Sequence, residues 1–334
     1  MKRYYKALVA AGLCVSLALG LTGCGSKAPD GSQIVATVGE KEVTLGEANF
    51  YLRYQQVQSE YYYEAMMGPN IYEQDLYGNG STYGQNLKAS IMDQMHQYYI
   101  LEEKAADYGV ALTEEDAAAI MEATAEFLAE NTADTLAQMT ADQETVERML
   151  TLATLSKRVE MAIYSEAEIT VKEEDAIQRG FEYVKVSKGT GEEALTEEEL
   201  QTKKDALNKA AASVKAGASL NEAAKEIELT SSKGSYGPAN VGSYEEALIN
   251  AMGGLSEGEV SEIIETESAL YLAQITADYD ESASASMYQS LVNSQQNAYY
   301  SELMSKWVTE YPLTIDEAVW GTIVFDRSYD LGNQ

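Results

Sequence analysis

The chain has 334 residues, of which 45% are hydrophobic and 23% are charged. These values are ordinary for a globular protein and exclude a largely disordered chain. The formal net charge of −31 argues against a nucleic-acid partner, whose phosphates would be repelled. The acidity either keeps the protein soluble or attracts cationic unfolded polypeptides.

The N-terminus has the pattern of an export signal. Three positive charges in the first six residues precede an apolar run, Ala7 to Leu21, which is too short for a membrane-spanning helix. The sequence Leu-Thr-Gly-Cys that ends at Cys24 resembles the lipobox of bacterial lipoproteins, and this implies cleavage before Cys24 and lipid on its sulfur. We therefore predict a signal peptide over 1–23 and a polar tether over 24–33. The alternative is an ordinary signal peptide followed by an accidental cysteine.

The next part of the chain is predicted to be mainly helical. The segment IVATVGEKEV (34–43) indicates two short strands around a turn. Thr44, followed three residues later by a glutamate, forms a capping-box pattern that predicts a long helix. A loop rich in Gly, Asn and Tyr follows over 68–84. Further apolar residues recur at helical spacing, and Thr113 is predicted to cap one of these later helices.

The pattern changes near Gly180. The segment FEYVKVS (181–187) alternates as a strand does, and an acidic loop is predicted over 189–199. Two helices, a glycine-rich loop over 231–242, a short helix and two strands follow, which predicts a compact α+β module of order β–α–α–loop–α–β–β. A last helix is predicted over 282–311, followed by short apolar alternations.

Three segments together resemble one known family. They are VATVGEKEVTLGEANFYL (35–52), LSEGEVSEII (255–264) and TIDEAVWGTI (314–323). The first and third are similar to the opening strand-turn-strand-helix and the terminal strand and short helix of PrsA- and SurA-type extracytoplasmic foldases. The second is similar to the L-x-x-G-E-V-S-x-P-V segment of parvulin-type (rotamase) prolyl isomerases, with Ile263 where that segment has proline.

The resemblance implies an α+β fold with two parts. A helical SurA-like chaperone domain would be built from both chain ends, 34–178 and 281–334, and a small parvulin-like α+β module would span 179–280. The protein would be exported and anchored through lipid on Cys24 to the extracytoplasmic face of the bacterial cell membrane. Its partners would be unfolded or extended secreted polypeptides.

The same resemblance selects candidate site residues. Parvulins surround the bound proline with two histidines, an Asp or Cys, and an apolar pocket. The positions that match here are Tyr183 and Tyr271 for the histidines, Ser232 or its neighbour Ser231 for the Asp or Cys, and Tyr244 and Leu248 for the pocket. His96 is the only histidine of the chain; it lies in the helical part as a surface or half-buried residue and cannot replace either histidine.

The loss of both histidines leaves three functions open. The module could be retained for its fold and for peptide contact alone. It could be an active prolyl isomerase with a non-histidine centre, which would lower an imide barrier of roughly 18–20 kcal/mol. The chain could also be an envelope lipoprotein that binds a defined ligand or complex without foldase activity.

No cofactor or metal is predicted. After signal cleavage and lipidation the chain would have no free thiol, so it has neither a disulfide nor a cysteine ligand for zinc. The acidic segment 278–281 lacks the spacing and glycine of an EF-hand. The chain has 24 Tyr and 12 Met but only 4 Phe. Tyr and Met side chains adapt to varied partners, so this composition indicates a surface that binds varied polypeptides. The alternative is that they fill helix cores.

Overall fold

The computed structural model describes residues 18–19, 27–67, 71–326 and 329–330. The predicted lipidation site Cys24, the signal peptide apart from residues 18–19, and the start of the tether lie outside these residues. The chain divides into two compact units. The first unit comprises residues 1–167 and 297–334, so it is built from both ends of the chain, and the second comprises residues 168–296.

Most of the described residues are helical. The helices, in chain order, are α1 (Leu45–Met67), α2 (Tyr83–Lys104), α3 (Glu114–Glu130), α4 (Ala133–Gln138), α5 (Gln143–Glu166), α6 (Glu173–Ala176), α7 (Glu197–Lys215), α8 (Leu220–Glu226), α9 (Glu246–Gly253), α10 (Glu281–Glu310) and α11 (Glu317–Trp320). Short 3₁₀ turns lie at Ile71–Glu73, Gly191–Glu193 and Val241–Ser243. A two-residue strand β1 (Ala18–Leu19) pairs with β9 (Tyr329–Asp330).

The predicted helix caps in the first unit are present. The backbone N–H of Thr44 donates to the Glu47 carboxylate at 2.8 Å, and the Thr44 hydroxyl accepts from the Glu47 N–H at 3.2 Å. Thr113 and Asp116 form the same reciprocal pair at the start of α3. Each cap satisfies backbone donors that a helix N-terminus otherwise leaves unpaired, which explains why α1 and α3 begin where they do.

A small antiparallel sheet joins the two chain ends in the first unit. Its strands are β2 (Ile34–Val38), β3 (Lys41–Thr44) and β8 (Leu313–Ile315), in the order β3-β2-β8. The predicted pair of strands over 34–43 is therefore confirmed. The sheet and the helices share one core, whose largest fully buried members are Leu45, Leu52, Ile91, Met92, Met95, Ile100, Phe127, Met139, Leu152 and Ile163.

The second unit is a four-stranded antiparallel sheet with helices on both faces. Its strands are β4 (Arg179–Ser187), β5 (Ser231–Tyr236), β6 (Ile264–Glu265) and β7 (Ala269–Ala277), in the order β5-β4-β7-β6. On one face Val184, Val186, Leu270 and Leu272 pack with α7 and α8. On the other face the alternate residues of the same strands pack with Leu248 and Met252 of α9.

Two predicted loops of the second unit are wrong in part. The first six residues of the predicted glycine-rich loop over 231–242 form strand β5, which pairs with β4 from Tyr236 to Ser231. The predicted acidic loop over 189–199 ends early, because α7 begins at Glu197. Thr196 and Glu199 make a reciprocal capping box there, and acidic residues in the first turn are favoured by the helix dipole.

Candidate functional site

One face of the second unit's sheet carries a cluster of aromatic side chains. Side chains alternate between the two faces of a strand, so Phe181, Tyr183 and Lys185 of β4 share one face. In register, Phe181 lies opposite Gly234 and Tyr183 opposite Ser232 on β5. Lys185 lies opposite Tyr271 on β7.

Phe181 is the centre of this cluster. It is buried, with 1% of its surface exposed, and its ring centroid lies 5.5 Å from Tyr183, 5.1 Å from Tyr244 and 5.8 Å from Tyr236. The Tyr183 ring in turn lies 6.2 Å from that of Tyr271. We call these five rings the aromatic face. Tyr183 and Tyr244 are half-buried, so they are the rings that a bound molecule can reach.

Gly234 allows the rings to approach the sheet. A Cβ at this position would lie 2.8 Å from Cζ of Phe181 and 2.9 Å from the Tyr244 hydroxyl oxygen. Both distances are shorter than normal van der Waals contact, so any side chain here would displace one of the two rings. The glycine on β5 is therefore required by the position of Phe181 and Tyr244.

The aromatic face ends in a polar cluster around Glu245. The Tyr271 hydroxyl donates to a Glu245 carboxylate oxygen at 2.6 Å, and the Ser268 hydroxyl donates to the same atom at 3.0 Å. The hydrogen bond from Tyr271 lowers the pKa of Glu245, whereas burial and the nearby carboxylate raise the pKa of Tyr271. The Lys185 ammonium lies 5.4 Å from the centroid of the Tyr271 ring. A neutral phenol, a carboxylate and an ammonium therefore adjoin one another at this edge.

Arg179 fixes the α9 end of the same face. Its guanidinium donates to the Tyr236 hydroxyl at 2.9 Å and to the backbone oxygens of Met252 and Leu255, and it pairs with Asp278 at 2.6 Å. These bonds tie the end of α9 and the end of β7 to the first residue of β4. The aromatic face thus rests on a scaffold that is bonded at both ends.

The structure brings four of the five predicted site residues into one cluster. Tyr183, Tyr244, Leu248 and Tyr271 all pack on the same face. Ser232 lies beside Tyr183 but is exposed. Its alternative, Ser231, has its hydroxyl hydrogen-bonded to Glu182 and to the Asn221 amide, on the opposite face.

Sequence reasoning did not select Phe181 or Glu245. The alternation of FEYVKVS contained a signal for Phe181, because residues two apart on a strand share a face. No comparable signal existed for Glu245, since its contact with Tyr271 joins a helix start to a strand. His96 lies in the first unit, half-buried, with Nε2 2.6 Å from the Tyr311 carbonyl oxygen, and so takes no part in this cluster.

A match to a protein family covers the N-terminal part of the chain. Residues 1–160 match the family described as the SurA-like N-terminal domain. The N-terminal part of the chain is therefore similar to SurA-like proteins. The predicted resemblance to SurA-type proteins is confirmed over these residues, and the mixture of helices and small sheets confirms the predicted α+β fold class.

Solved structures of SurA-like and PrsA proteins are similar to the chain at low identity. A SurA-like chaperone of Campylobacter jejuni (from the structural study of PEB4 and Cj1289) is 9% identical, with a TM-score of 0.31 over 84% of this chain and 98% of that one. The foldase PrsA of Streptococcus pneumoniae is 17% identical, with a TM-score of 0.32 over 76% and 98%. The peptidylprolyl isomerase PrsA of Bacillus cereus is 13% identical, with a TM-score of 0.32 over 87% and 96%.

Because these TM-scores are low, the similarity to SurA-like proteins depends on the sequence match over residues 1–160. No curated protein matches the chain significantly. Among the residues that the structure describes, no helix is both long enough and apolar enough to cross a membrane.

Proposed function

We propose that the protein is a lipid-anchored extracytoplasmic foldase that holds unfolded exported polypeptides, with a parvulin-like second unit that binds extended segments. The observation that carries the proposal is the aromatic face, where half-buried Tyr183 and Tyr244 lie over buried Phe181. Tyrosine rings offer a large apolar area and a hydroxyl that stays hydrated, at little cost in conformational entropy. Such a surface suits polypeptides of varied sequence.

The sheet supports this function because it holds the rings in place. Arg179 and Glu245 fix the two ends of the face, so Tyr183 and Tyr244 need not be ordered when a peptide binds. A preorganised surface loses less free energy on binding than a mobile one. An apolar ring such as that of proline would pack on Tyr183 and Tyr244, and the rest of the segment would extend along β5.

Anchoring and location complete the proposal. The sequence ending at Cys24 supports lipid attachment, and the family of the N-terminal domain supports a role outside the cytoplasm. If the lipid is the anchor, Cys24→Ser releases the protein from the membrane fraction into the soluble fraction. Retention of the variant on membranes after a high-salt wash would show that another feature holds it there.

The test of client binding is suppression of aggregation. We expect the wild-type protein to suppress aggregation of a chemically denatured client at about stoichiometric ratio. We expect Tyr183→Ser/Tyr244→Ser to need at least about thirtyfold more protein, because two hot-spot aromatics at roughly 1–2 kcal/mol each contribute at least about 2 kcal/mol together. Tyr279→Ser is the matched control, since Tyr279 is 59% exposed and outside the aromatic face. Equal activity of all three proteins would remove the aromatic face from the proposal.

A second candidate function is prolyl isomerisation with a non-histidine centre. The observation that favours it is the contact of Tyr271 with Glu245, beside Lys185, at the position where the resemblance places a histidine. A phenol held by a carboxylate can donate to, or accept from, a twisted imide. A proline-peptide isomerisation assay decides the matter: a rate above background that falls in Tyr271→Phe supports an enzyme, and a background rate in the wild type supports binding alone.

A further inference from the structure

The first unit contains a second surface feature, a cleft of about 470 Å³ between α1, α2 and the loop before α2. Its lining comprises Gln55, Gln58, Ser59, Tyr77, Tyr83, Asn86, Leu87 and Ser90. None of these side chains carries a formal charge, although the chain as a whole has a net charge of −31. In so acidic a protein, an uncharged cleft favours an uncharged occupant.

Most polar groups of the cleft are already hydrogen-bonded. The Tyr83 hydroxyl donates to Ser59 Oγ at 2.7 Å, and Ser59 Oγ donates to the backbone oxygen of Gln55 at 2.9 Å. The Asn86 amide donates to the backbone oxygens of Ser81 and Thr82. These residues shape the cleft, and because their polar groups are already hydrogen-bonded they have little capacity to bond to a ligand.

The side-chain amides of Gln55 and Gln58 differ from the rest. Neither has a hydrogen-bond partner among the described residues, and both are half-buried in the cleft wall. They are three residues apart on α1, so their side chains leave the helix about 5–6 Å from each other. Alternate residues of an extended polypeptide are separated by roughly 6.6 Å. The two glutamines are thus spaced to bind successive outward-facing amides of one extended chain.

Apolar groups complete the cleft on its loop side. Tyr77 is 64% exposed, and its ring centroid lies 6.3 Å from that of Tyr83. Leu87 lines the same cleft from α2. A side chain that projects from a bound segment would meet the Tyr77 ring and Leu87 while the main chain bonds to the glutamines.

We propose that this cleft binds an extended, uncharged segment of a client polypeptide through its main-chain amides. The inference rests on the proposed foldase function and names the kind of segment that the first unit selects. A carboxamide both donates to and accepts from a peptide group, so Gln55 and Gln58 recognise the main chain without regard to sequence. Charged segments would lose hydration in the cleft and gain no ion pair.

The test is a titration of the full-length protein with a peptide of Gly, Ser, Asn and Val that has blocked termini and an uncharged BODIPY label, followed by fluorescence anisotropy. We expect Gln55→Ala/Gln58→Ala to bind about tenfold more weakly, since each lost hydrogen bond contributes about 0.5–1.5 kcal/mol. Alanine is a good helix former, so α1 should persist, and circular dichroism checks this. Gln289→Ala, on an exposed position of α10, is the matched control and should bind like wild type.

A variant with an added charge tests independently whether the cleft prefers an uncharged segment. Gln58→Glu should weaken binding of the neutral peptide and strengthen binding of the same peptide with one Lys in place of Asn. Affinity of the wild type for the neutral peptide should change less than about twofold between low and high salt, because no charges are paired. Strong salt dependence would mean that the acidity of the chain, and not this cleft, binds the peptide.

Three further outcomes would overturn the inference. They are unchanged affinity in both glutamine variants, no binding of the neutral peptide to the wild type, and displacement of the peptide by a neutral oligosaccharide such as maltohexaose, which would assign the cleft to a glycan. Aggregation suppression by the wild type, measured in parallel, distinguishes a failure of the cleft assignment from a failure of the proposed foldase function. If suppression persists while one of these outcomes is found, the cleft assignment fails and the proposed function stands. If suppression is absent, the proposed function fails.

Discussion

Gly234→Ala tests whether the aromatic face depends on close contact between β5 and its rings. The added Cβ would lie 2.8 Å and 2.9 Å from two ring atoms of Phe181, and 2.9 Å from the hydroxyl oxygen of Tyr244. The half-buried Tyr244 can rotate toward solvent. Phe181, which is 1% exposed, cannot move without disturbing the packing between β4 and α9. We therefore expect both a displaced Tyr244 and a strained core.

The expected loss of stability in Gly234→Ala follows from the cost of overpacking a core. One methyl group forced into a well-packed core costs about 1–3 kcal/mol. The φ angle of Gly234 is not in the left-handed region, so the backbone accepts alanine without strain. Only the steric clash of the added Cβ should therefore destabilise the variant. If β4 and β5 open as a unit, their amide hydrogens should exchange roughly tenfold to a hundredfold faster than in the wild type.

Hydrogen-exchange mass spectrometry of peptides from β4 and β5 measures this effect. The control is Gly242→Ala in the same unit, since an added Cβ at Gly242 meets no atom within 4 Å and its φ angle is also outside the left-handed region. Exchange in this control should match the wild type. If Gly234→Ala exchanges no faster than Gly242→Ala, Phe181 and Tyr244 do not lie over β5 as described, and the account of the aromatic face is wrong.

Other contacts give further predictions. Tyr271→Phe removes the 2.6 Å bond to Glu245, so we expect the second unit to lose about 1 kcal/mol of stability, seen as faster amide exchange in β7; unchanged exchange would contradict it. Burial opposes ionisation of Asp116, but bonds from Thr113 and Arg158 outweigh it and leave its pKa lowered. Its contribution to stability is present above pH 3.8 and lost as pH falls below this, so an acid titration of unfolding should be less steep in Asp116→Asn. Lys88→Met removes bonds to two backbone oxygens of the C-terminal segment, and a urea midpoint followed by tryptophan fluorescence should fall by the equivalent of about 2 kcal/mol; an unchanged midpoint would refute it.

Local signals explain what the sequence predicted well. Thr44 and Thr113 were found as caps because a capping box is complete within four residues and its energy does not depend on the rest of the fold. The strands over 34–43 and 181–187 were found because alternation reports burial on one face. These elements are specified by short-range chemistry, and their observed bounds agree with the prediction to within two residues.

Strand β5 was missed because tertiary contacts override its local preference. Its sequence, SSKGSY, is rich in serine and glycine, which have low preference for strands. The strand forms because β4 pairs with it and because Phe181 needs Gly234 beneath its ring. Glu245 was missed for a related reason, since only the folded sheet brings it to Tyr271. A sequence pattern cannot report a contact between residues that are distant along the chain.

The position of β8 has a consequence for the order of folding. Leu313–Ile315 pairs with Ala36 to Val38, so the sheet of the first unit needs a strand that is synthesised after the whole second unit. The second unit is one continuous stretch of the chain, residues 168–296, so it can fold while the first is still incomplete. Pairings between residues so far apart in sequence form slowly. A newly synthesised chain should therefore pass through a state in which α1 and β2 are exposed, and the protein itself would briefly resemble the unfolded clients that it is proposed to hold.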